Sequence, residues 1–68
     1  MKIERLIKMA NDISRFFDAE TDKTVAAQGM KDHISQTWEI RMRETLLDYV
    51  KKDGSGLTPL ALQALKSI

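Results

Sequence analysis

His33 is the only histidine of the chain and the residue best suited to metal or acid–base chemistry. A metal site on a helix needs a second ligand three or four residues away. Those positions hold no plausible ligand partner: they are Gly29, Met30, Gln36 and Thr37. The spacing also places no serine or carboxylate beside His33 to form a nucleophile–base pair. We therefore interpret His33 as a packing or hydrogen-bonding residue, and we expect no catalytic, metal or cofactor-binding residue in this chain.

The segment 53–56, Asp-Gly-Ser-Gly, superficially resembles the start of a calcium or phosphate loop. Counted from its aspartate, the sixth residue is Thr58 and the twelfth is Ala64, where an EF-hand needs glycine and glutamate. A phosphate loop would end in Gly-Lys-Ser or Gly-Lys-Thr, which is missing. The segment instead predicts a helix stop followed by a helix start. Gly54 is placed as the left-handed terminal residue, Thr58 as the next N-cap and Pro59 as the first helical residue.

The charge balance gives no general attraction to nucleic acid, anionic lipid or an acidic substrate. Eleven Lys and Arg residues oppose ten Asp and Glu residues, for a formal net charge of +1. The densest basic group is interleaved with acidic residues: it comprises Arg41, Arg43, Lys51 and Lys52 among Glu39, Glu44 and Asp48. We interpret this stretch as a solvated mixed-charge face and expect no nucleic-acid partner.

The length of 68 residues and the lack of cysteine set further limits. They predict one small domain, residues 1–68, without disulfides, a thiol nucleophile or an iron–sulfur cluster. A domain this small hides only about 60% of its unfolded surface, so size argues against an enzyme acting alone and favours a binding or assembly module. The longest uncharged run, Gly54–Leu65, is shorter than the roughly 20 residues of a membrane span, so we expect a soluble chain without a membrane partner.

Apolar periodicity predicts an all-α fold, a small bundle of three to four helices over about 2–18, 23–37, 40–52 and 59–67. Each predicted helix carries a stripe of residues that would face the core. The first stripe is Ile3, Leu6, Ile7, Ala10, Ile13 and Phe17. The second follows the cap residues Thr21 and Asp22 and comprises Val25, Ala26, Met30, His33, Ile34 and Thr37. The third is Met42, Leu46, Leu47, Tyr49 and Val50, and the fourth is Leu60, Ala61, Ala64, Leu65 and Ile68.

Two local features refine this bundle. Gly29 lowers helix propensity in the second helix, so it predicts a close approach between helices. Leu57 before the last N-cap and Leu62 at the fourth helical position predict a hydrophobic staple.

Met9 and Phe16 lie outside the first stripe and seven residues apart, so they form a second apolar face on the first helix. Either another helix of this chain or a partner protein covers that face. Trp38 lies near Arg41 and Met42, and it could belong either to a partner interface or to the core of this chain. These residue types are enriched at protein interfaces, yet a single tryptophan can equally be the largest part of its own core.

Three blocks then stand out along residues 6–65. The first is Leu6-Ile7-Lys8-Met9-Ala10-Asn11 with Ile13 and Phe16-Phe17; the second is His33-Ile34, Trp38, Arg41-Met42-Arg43 and Leu46-Leu47. The third is Gly54-x-Gly56-Leu57-x-Pro59-Leu60 with Ala64-Leu65. Together they resemble the delta subunit family of cytoplasmic NAD-dependent formate dehydrogenases that contain molybdenum or tungsten. The family usually has proline where Ile40 stands here, so the second and third helices could merge into one bent helix.

The resemblance implies a bacterial, cytoplasmic, non-catalytic accessory subunit. It would dock on the large catalytic subunit and support assembly, stability or cofactor insertion. The partner subunits would carry molybdopterin guanine dinucleotide, iron–sulfur clusters, FMN and NAD. The candidate interface residues are Met9, Asn11, Phe16, Trp38, Arg41 and Met42.

Two alternatives remain at this point. The chain could be a self-associating helical module that closes its exposed face as a homodimer without an enzyme partner. It could also hold the free pterin cofactor during maturation, with Asn11, Arg41 and Arg43 contacting phosphates.

Overall fold

Four α-helices form the part of the chain that the computed structural model describes, residues 2–68. They are α1 (Ile3–Phe17), α2 (Lys23–Thr37), α3 (Ile40–Lys52) and α4 (Pro59–Lys66), and no strand occurs within this range. Each helix ends within one residue of its predicted bounds, so the all-α prediction is confirmed. None of these helices combines the length and the apolar character that crossing a membrane requires.

One hydrophobic core gathers the predicted stripes of all four helices. Its buried side chains are Leu6, Ala10, Ala26, Ala27, Met30, Ile34, Trp38, Leu46, Leu57, Leu60, Ala61, Ala64 and Leu65. Four predicted core positions are wrong: Val25 is 53% exposed, Ile68 is 39% exposed, and His33 and Thr37 are also exposed. At about 100° per residue, Val25 points nearly opposite to the buried centre of α2. Ile68 lies beyond the end of α4.

A tight contact joins α1 to α2 at Gly29. A Cβ atom on this residue would lie 2.8 Å from Cε1 of Phe17, closer than real Cβ contacts allow. The predicted close approach of two helices is therefore confirmed. The connection before α2 is also fixed, since the Asp22 side chain accepts N–H bonds from Thr24 and Val25 as the N-cap. The Lys23 ammonium lies 2.8 Å from the Asp18 carboxylate.

The helices α2 and α3 are separate and do not merge into one bent helix. Trp38 and Glu39 are both extended, with ψ angles of 140° and 151°, and Glu39 holds the N-cap position of α3. The Trp38 side chain is only 7% exposed and its N–H donates to the Ile34 carbonyl. The Trp38 side chain therefore packs into the core at this break, and its role at a partner interface stays a prediction.

The turn from α3 to α4 follows the predicted stop and start. Gly54 and Gly56 have φ angles of 76° and 87°, in the left-handed region that side chains disfavour. Thr58 caps α4 by accepting a bond from the Ala61 N–H at 3.1 Å, and Pro59 is the first helical residue. The predicted staple between Leu57 and Leu62 stays a prediction.

Candidate docking site

One long side of α1 is tied to the α3–α4 turn by a polar clamp, which we define as Asn11, Ser14, Gly56 and Thr58. The Asn11 amide donates to the Gly56 carbonyl at 2.8 Å and accepts from the Thr58 N–H at 3.0 Å. The Thr58 hydroxyl donates to the Ser14 hydroxyl at 2.8 Å, and Ser14 donates in turn to the Asn11 carbonyl at 2.9 Å. Every member is therefore satisfied by another member of the clamp.

Ser14 shows why the clamp matters for packing. Its side chain is 2% exposed, and an unbonded hydroxyl at a buried position would cost about 1–3 kcal/mol. No buried side-chain polar atom within residues 2–68 lacks a hydrogen-bond partner. The clamp thus lets a polar side chain occupy the seam between α1 and α4, and it fixes how α1 is rotated.

The clamp engages both the nitrogen and the oxygen of the side-chain amide of Asn11, one of the predicted interface residues. Its partners lie 45 and 47 residues further along the chain, so no local pattern could have shown this role. Asn11 also belongs to the first sequence block, Gly56 belongs to the third, and Thr58 stands at an unspecified position within the third. The clamp therefore brings these two blocks into contact.

A second set of bonds holds the α3–α4 turn from its other side. The Tyr49 hydroxyl donates to the Ser55 carbonyl at 2.7 Å, and the Ser55 hydroxyl donates to the Asp53 carboxylate at 2.7 Å. The polar groups of segment 53–56 thus bond to the protein itself. This agrees with the interpretation of the segment as a helix stop.

The other long side of α1 is open around Phe16. This side chain is 76% exposed, and its ring packs edge-on against Phe17 with a centroid distance of 5.2 Å. A hollow of about 360 Å³ lies beside it between α1 and α2; it is lined by Asp12, Ile13, Phe16, Phe17 and His33. We call this hollow the Phe16 groove.

Met9 lies on the same side of α1, two turns earlier. It is half-buried against the core, as is Met42 of α3. An open hollow of about 590 Å³ lies here between α1 and α3; it is lined by Lys2, Glu4, Arg5, Met9 and Met42. We call it the methionine groove. The second apolar face is thus divided: the chain's own packing partly covers Met9, whereas Phe16 remains exposed.

The other predicted interface residues also divide into some that line surface hollows and some that lie inside the fold. Arg41 and Met42 line a smaller hollow of about 90 Å³ with Glu39 and Thr45, next to the methionine groove. Trp38 lies in the core. The structure therefore places Met42 between the hollows lined by Met9 and by Arg41, and it places Phe16 further along α1. Asn11 and Trp38 make internal contacts.

His33 lies exposed at the edge of the Phe16 groove, with its ring centroid 6.0 Å from that of Phe17. This contact agrees with a packing role, although the residue does not reach the core. No cluster of three His, Cys, Asp or Glu side chains able to hold a metal ion occurs within residues 2–68.

Charged side chains occupy the exposed surface of α1 between the clamp and the Phe16 groove. The Asp12 carboxylate accepts bonds from Lys8 at 3.0 Å and from Arg15 at 2.7 Å. The hydrogen bond from Lys8, with the positive charges of Lys8 and Arg15, holds the pKa of Asp12 below its usual range. Asp12 is therefore already neutralised by two cations of its own helix.

Fold and site together define a small four-helix protein with apolar hollows on one side of its first helix. The chain belongs to the NADH-dependent formate dehydrogenase delta subunit family, FdsD, whose family model matches residues 5–65. No curated protein and no solved structure matches it. The matched range includes the whole clamp and the Phe16 groove.

Proposed function

We propose that this chain is a non-catalytic accessory subunit that docks on the large catalytic subunit of a bacterial, cytoplasmic NAD-dependent formate dehydrogenase. The observation that carries the proposal is Phe16, which is 76% exposed beside an apolar groove. Membership of the delta subunit family names the enzyme complex in which this surface would be used. Molybdopterin guanine dinucleotide, iron–sulfur clusters, FMN and NAD would be held by the partner subunits.

The position of Phe16 supports docking because the core is complete without it. Leu6 and Ala10 of the same helix are fully buried, whereas Phe16 leaves most of its ring in water. Aromatic side chains often dominate binding energy when a partner buries them in a pocket. Such an aromatic residue is a favourable anchor for a partner protein.

Copurification tests the docking proposal. A tagged chain expressed with the formate dehydrogenase subunits should retain the large catalytic subunit, and Phe16→Asp should weaken that binding at least tenfold, or about 1.4 kcal/mol. Val25→Asp is the matched control, because it places the same charge on another exposed apolar residue. We expect Val25→Asp to bind within about twofold of the unmodified chain.

Two results would contradict this proposal. One is recovery of the unmodified chain without any large subunit. The other is a stable homodimer that Phe16→Asp dissociates while large-subunit binding is unaffected, which would support the self-associating module instead.

Deleting the chain from the expressed complex separates the possible contributions of a docked subunit. If it stabilises the assembled enzyme, the complex made without it should contain the same molybdenum per large subunit but lose activity faster on heating. If it assists cofactor insertion, the molybdenum content should fall. Unchanged values of both measurements would contradict a role in either process.

A further inference from the structure

We propose that α3 is a strap that opens and closes as a unit over a core of α1, α2 and α4, which stays folded while the strap is open. The strap is the helix Ile40–Lys52. In the closed state it packs against α1 and α4, and in the open state it has left both. This conformational property goes beyond the proposed docking function and does not depend on it.

Burial is lowest on the strap. Leu46 is its one buried residue among 13, whereas α1 buries three of 15, α2 four of 15 and α4 four of eight. The other apolar side chains of α3 that reach the core are only partly buried; they are Met42, Leu47, Tyr49 and Val50. A region with few buried apolar side chains can open at a lower free energy than the whole protein unfolds.

Polar contacts also leave the strap loosely held. Within residues 2–68, the one side-chain hydrogen bond from α3 to another helix runs from Arg43 to the Ser35 carbonyl, at 3.3 Å and on the surface. The Tyr49 hydroxyl bonds to Ser55, which lies in the turn directly after α3, so this bond does not tie α3 to another helix. The strap is therefore held mainly by apolar packing around Leu46.

The three helices beneath the strap have their own connections. The polar clamp joins α1 to the N-terminus of α4 through Ser14 and Thr58. Gly29 of α2 lies in close contact with α1, and α2 packs more extensively against α4 than against any other helix. Because α3 takes part in none of these contacts, they can persist while the strap is open.

Both ends of the strap are interrupted at residues that are anchored in the fold. Before it, Trp38 is buried and extended; after it, Gly54 is buried with a φ angle of 76°. A Cβ atom on Gly54 would lie 3.1 Å from Cδ2 of Leu62, so this turn rests against α4. Helical hydrogen bonds propagate from residue to residue and stop at such interruptions. The strap can therefore lose its bonds while α2 and α4 keep theirs.

The opened strap does not remain a stable helix. Its 13 residues are close to the length of about 12–15 residues below which an isolated helix is marginal in water. Opening therefore exposes the backbone amides of α3 to solvent. It also removes one wall of the methionine groove, because Met42 lies on α3 while Met9 stays on α1.

Native-state hydrogen exchange of the full chain, followed by NMR, tests the strap. We expect amides of residues 46–49, in the middle of α3, to exchange at least about tenfold faster than the most protected amides of α2 and α4, after correction for intrinsic rates. Their exchange should also depend less on urea, since opening the strap exposes less surface than global unfolding does. Equal protection and equal urea dependence in the three helices would overturn the inference.

Two matched substitutions distinguish opening of the strap from global unfolding. Ile34→Val and Leu46→Val each remove one methylene from a side chain that is 0% exposed, on α2 and α3 respectively. The Ile34 contacts survive strap opening, so Ile34→Val should speed exchange in α2 and α4 by about three- to tenfold and in α3 by less than about twofold.

The Leu46 contacts are lost in both processes, so Leu46→Val should speed exchange in α2, α3 and α4 by similar factors. If Ile34→Val accelerates α3 as much as α2 and α4, the strap opens only when the whole chain unfolds, and the inference is wrong. Unchanged exchange of α3 in Leu46→Val would equally contradict it.

Discussion

The two long sides of α1 differ in the polarity and the exposure of their side chains. On one side, Asn11 and Ser14 are bonded inside the polar clamp, and Ser14 is almost fully buried. On the other side, Met9 is half-buried and Phe16 is largely exposed. The clamp fixes the rotation of the helix through directional bonds, so the opposite side is presented in a defined orientation. On α1, polar side chains thus bond to the rest of the fold on one side, and an apolar side chain remains exposed on the other.

Removing the central clamp residue should have the largest effect on stability. Asn11→Ala leaves the Gly56 carbonyl and the Thr58 N–H without their partner, so we expect the free energy of unfolding to fall by about 2 kcal/mol. For a domain of this size the melting temperature should drop by roughly 10 °C. Alanine favours the helix more than asparagine does, so the loss cannot come from α1 itself. A melting temperature within about 2 °C of the unmodified protein would show that the clamp does not hold α1.

Thr58 tests the other end of the clamp. Thr58→Val keeps the shape but removes the hydroxyl that caps α4 and bonds Ser14, so we expect a loss of about 1–2 kcal/mol in urea denaturation. Thr58→Ser retains the hydroxyl and should recover most of this loss. If the serine and valine variants unfold at the same urea concentration, the hydroxyl contributes nothing to the clamp.

Substitution of Phe16, on the side of α1 opposite the clamp, should leave stability nearly unchanged. Phe16→Ala should alter the free energy of unfolding by less than about 0.5 kcal/mol, since an exposed side chain loses few internal contacts. Circular dichroism melts of Phe16→Ala and Asn11→Ala, measured side by side, check the contrast. A fall in stability for Phe16→Ala as large as that for Asn11→Ala would mean that both sides of α1 contribute equally to the free energy of unfolding.

The smallest effect should come from Asp12 at acidic pH. Because its pKa is lowered in the folded protein, the stabilisation it provides is complete above the ordinary value of 3.8 and is lost as the pH falls through the lower folded value. Asp12→Asn removes this titration, so its melting temperature should fall less than that of the unmodified protein between neutral pH and pH values below 3.8. An identical fall in both proteins would contradict the pairing of Asp12 with Lys8 and Arg15.

Local signals were sufficient to predict the four helices. Apolar periodicity located them, and Asp22, Gly54, Thr58 and Pro59 marked their ends through caps that depend on a few neighbouring residues. The contact at Gly29 was also predictable, because a glycine within a helix lowers its propensity and needs a compensating close approach. The three sequence blocks were enough to predict the family.

Non-local contacts explain what the sequence could not predict. Ser14 is a polar residue whose burial depends on a hydroxyl 44 positions away, and Asn11 has the same kind of distant partner. The division between Met9 and Phe16 depends on how far α3 extends along α1, which helical periodicity does not specify. Trp38 could be core or interface by type, and its burial followed only from the packing of all four helices.

The distance along the chain between the two halves of the clamp has a consequence for folding. Asn11 and Ser14 belong to α1, whereas Gly56 and Thr58 are synthesised later, after α3. A nascent chain that stops after α3 therefore lacks the partners that fix α1, together with the buried leucines and alanines of α4. We expect α1 to acquire its final rotation last, in a single cooperative step that follows the synthesis of α4.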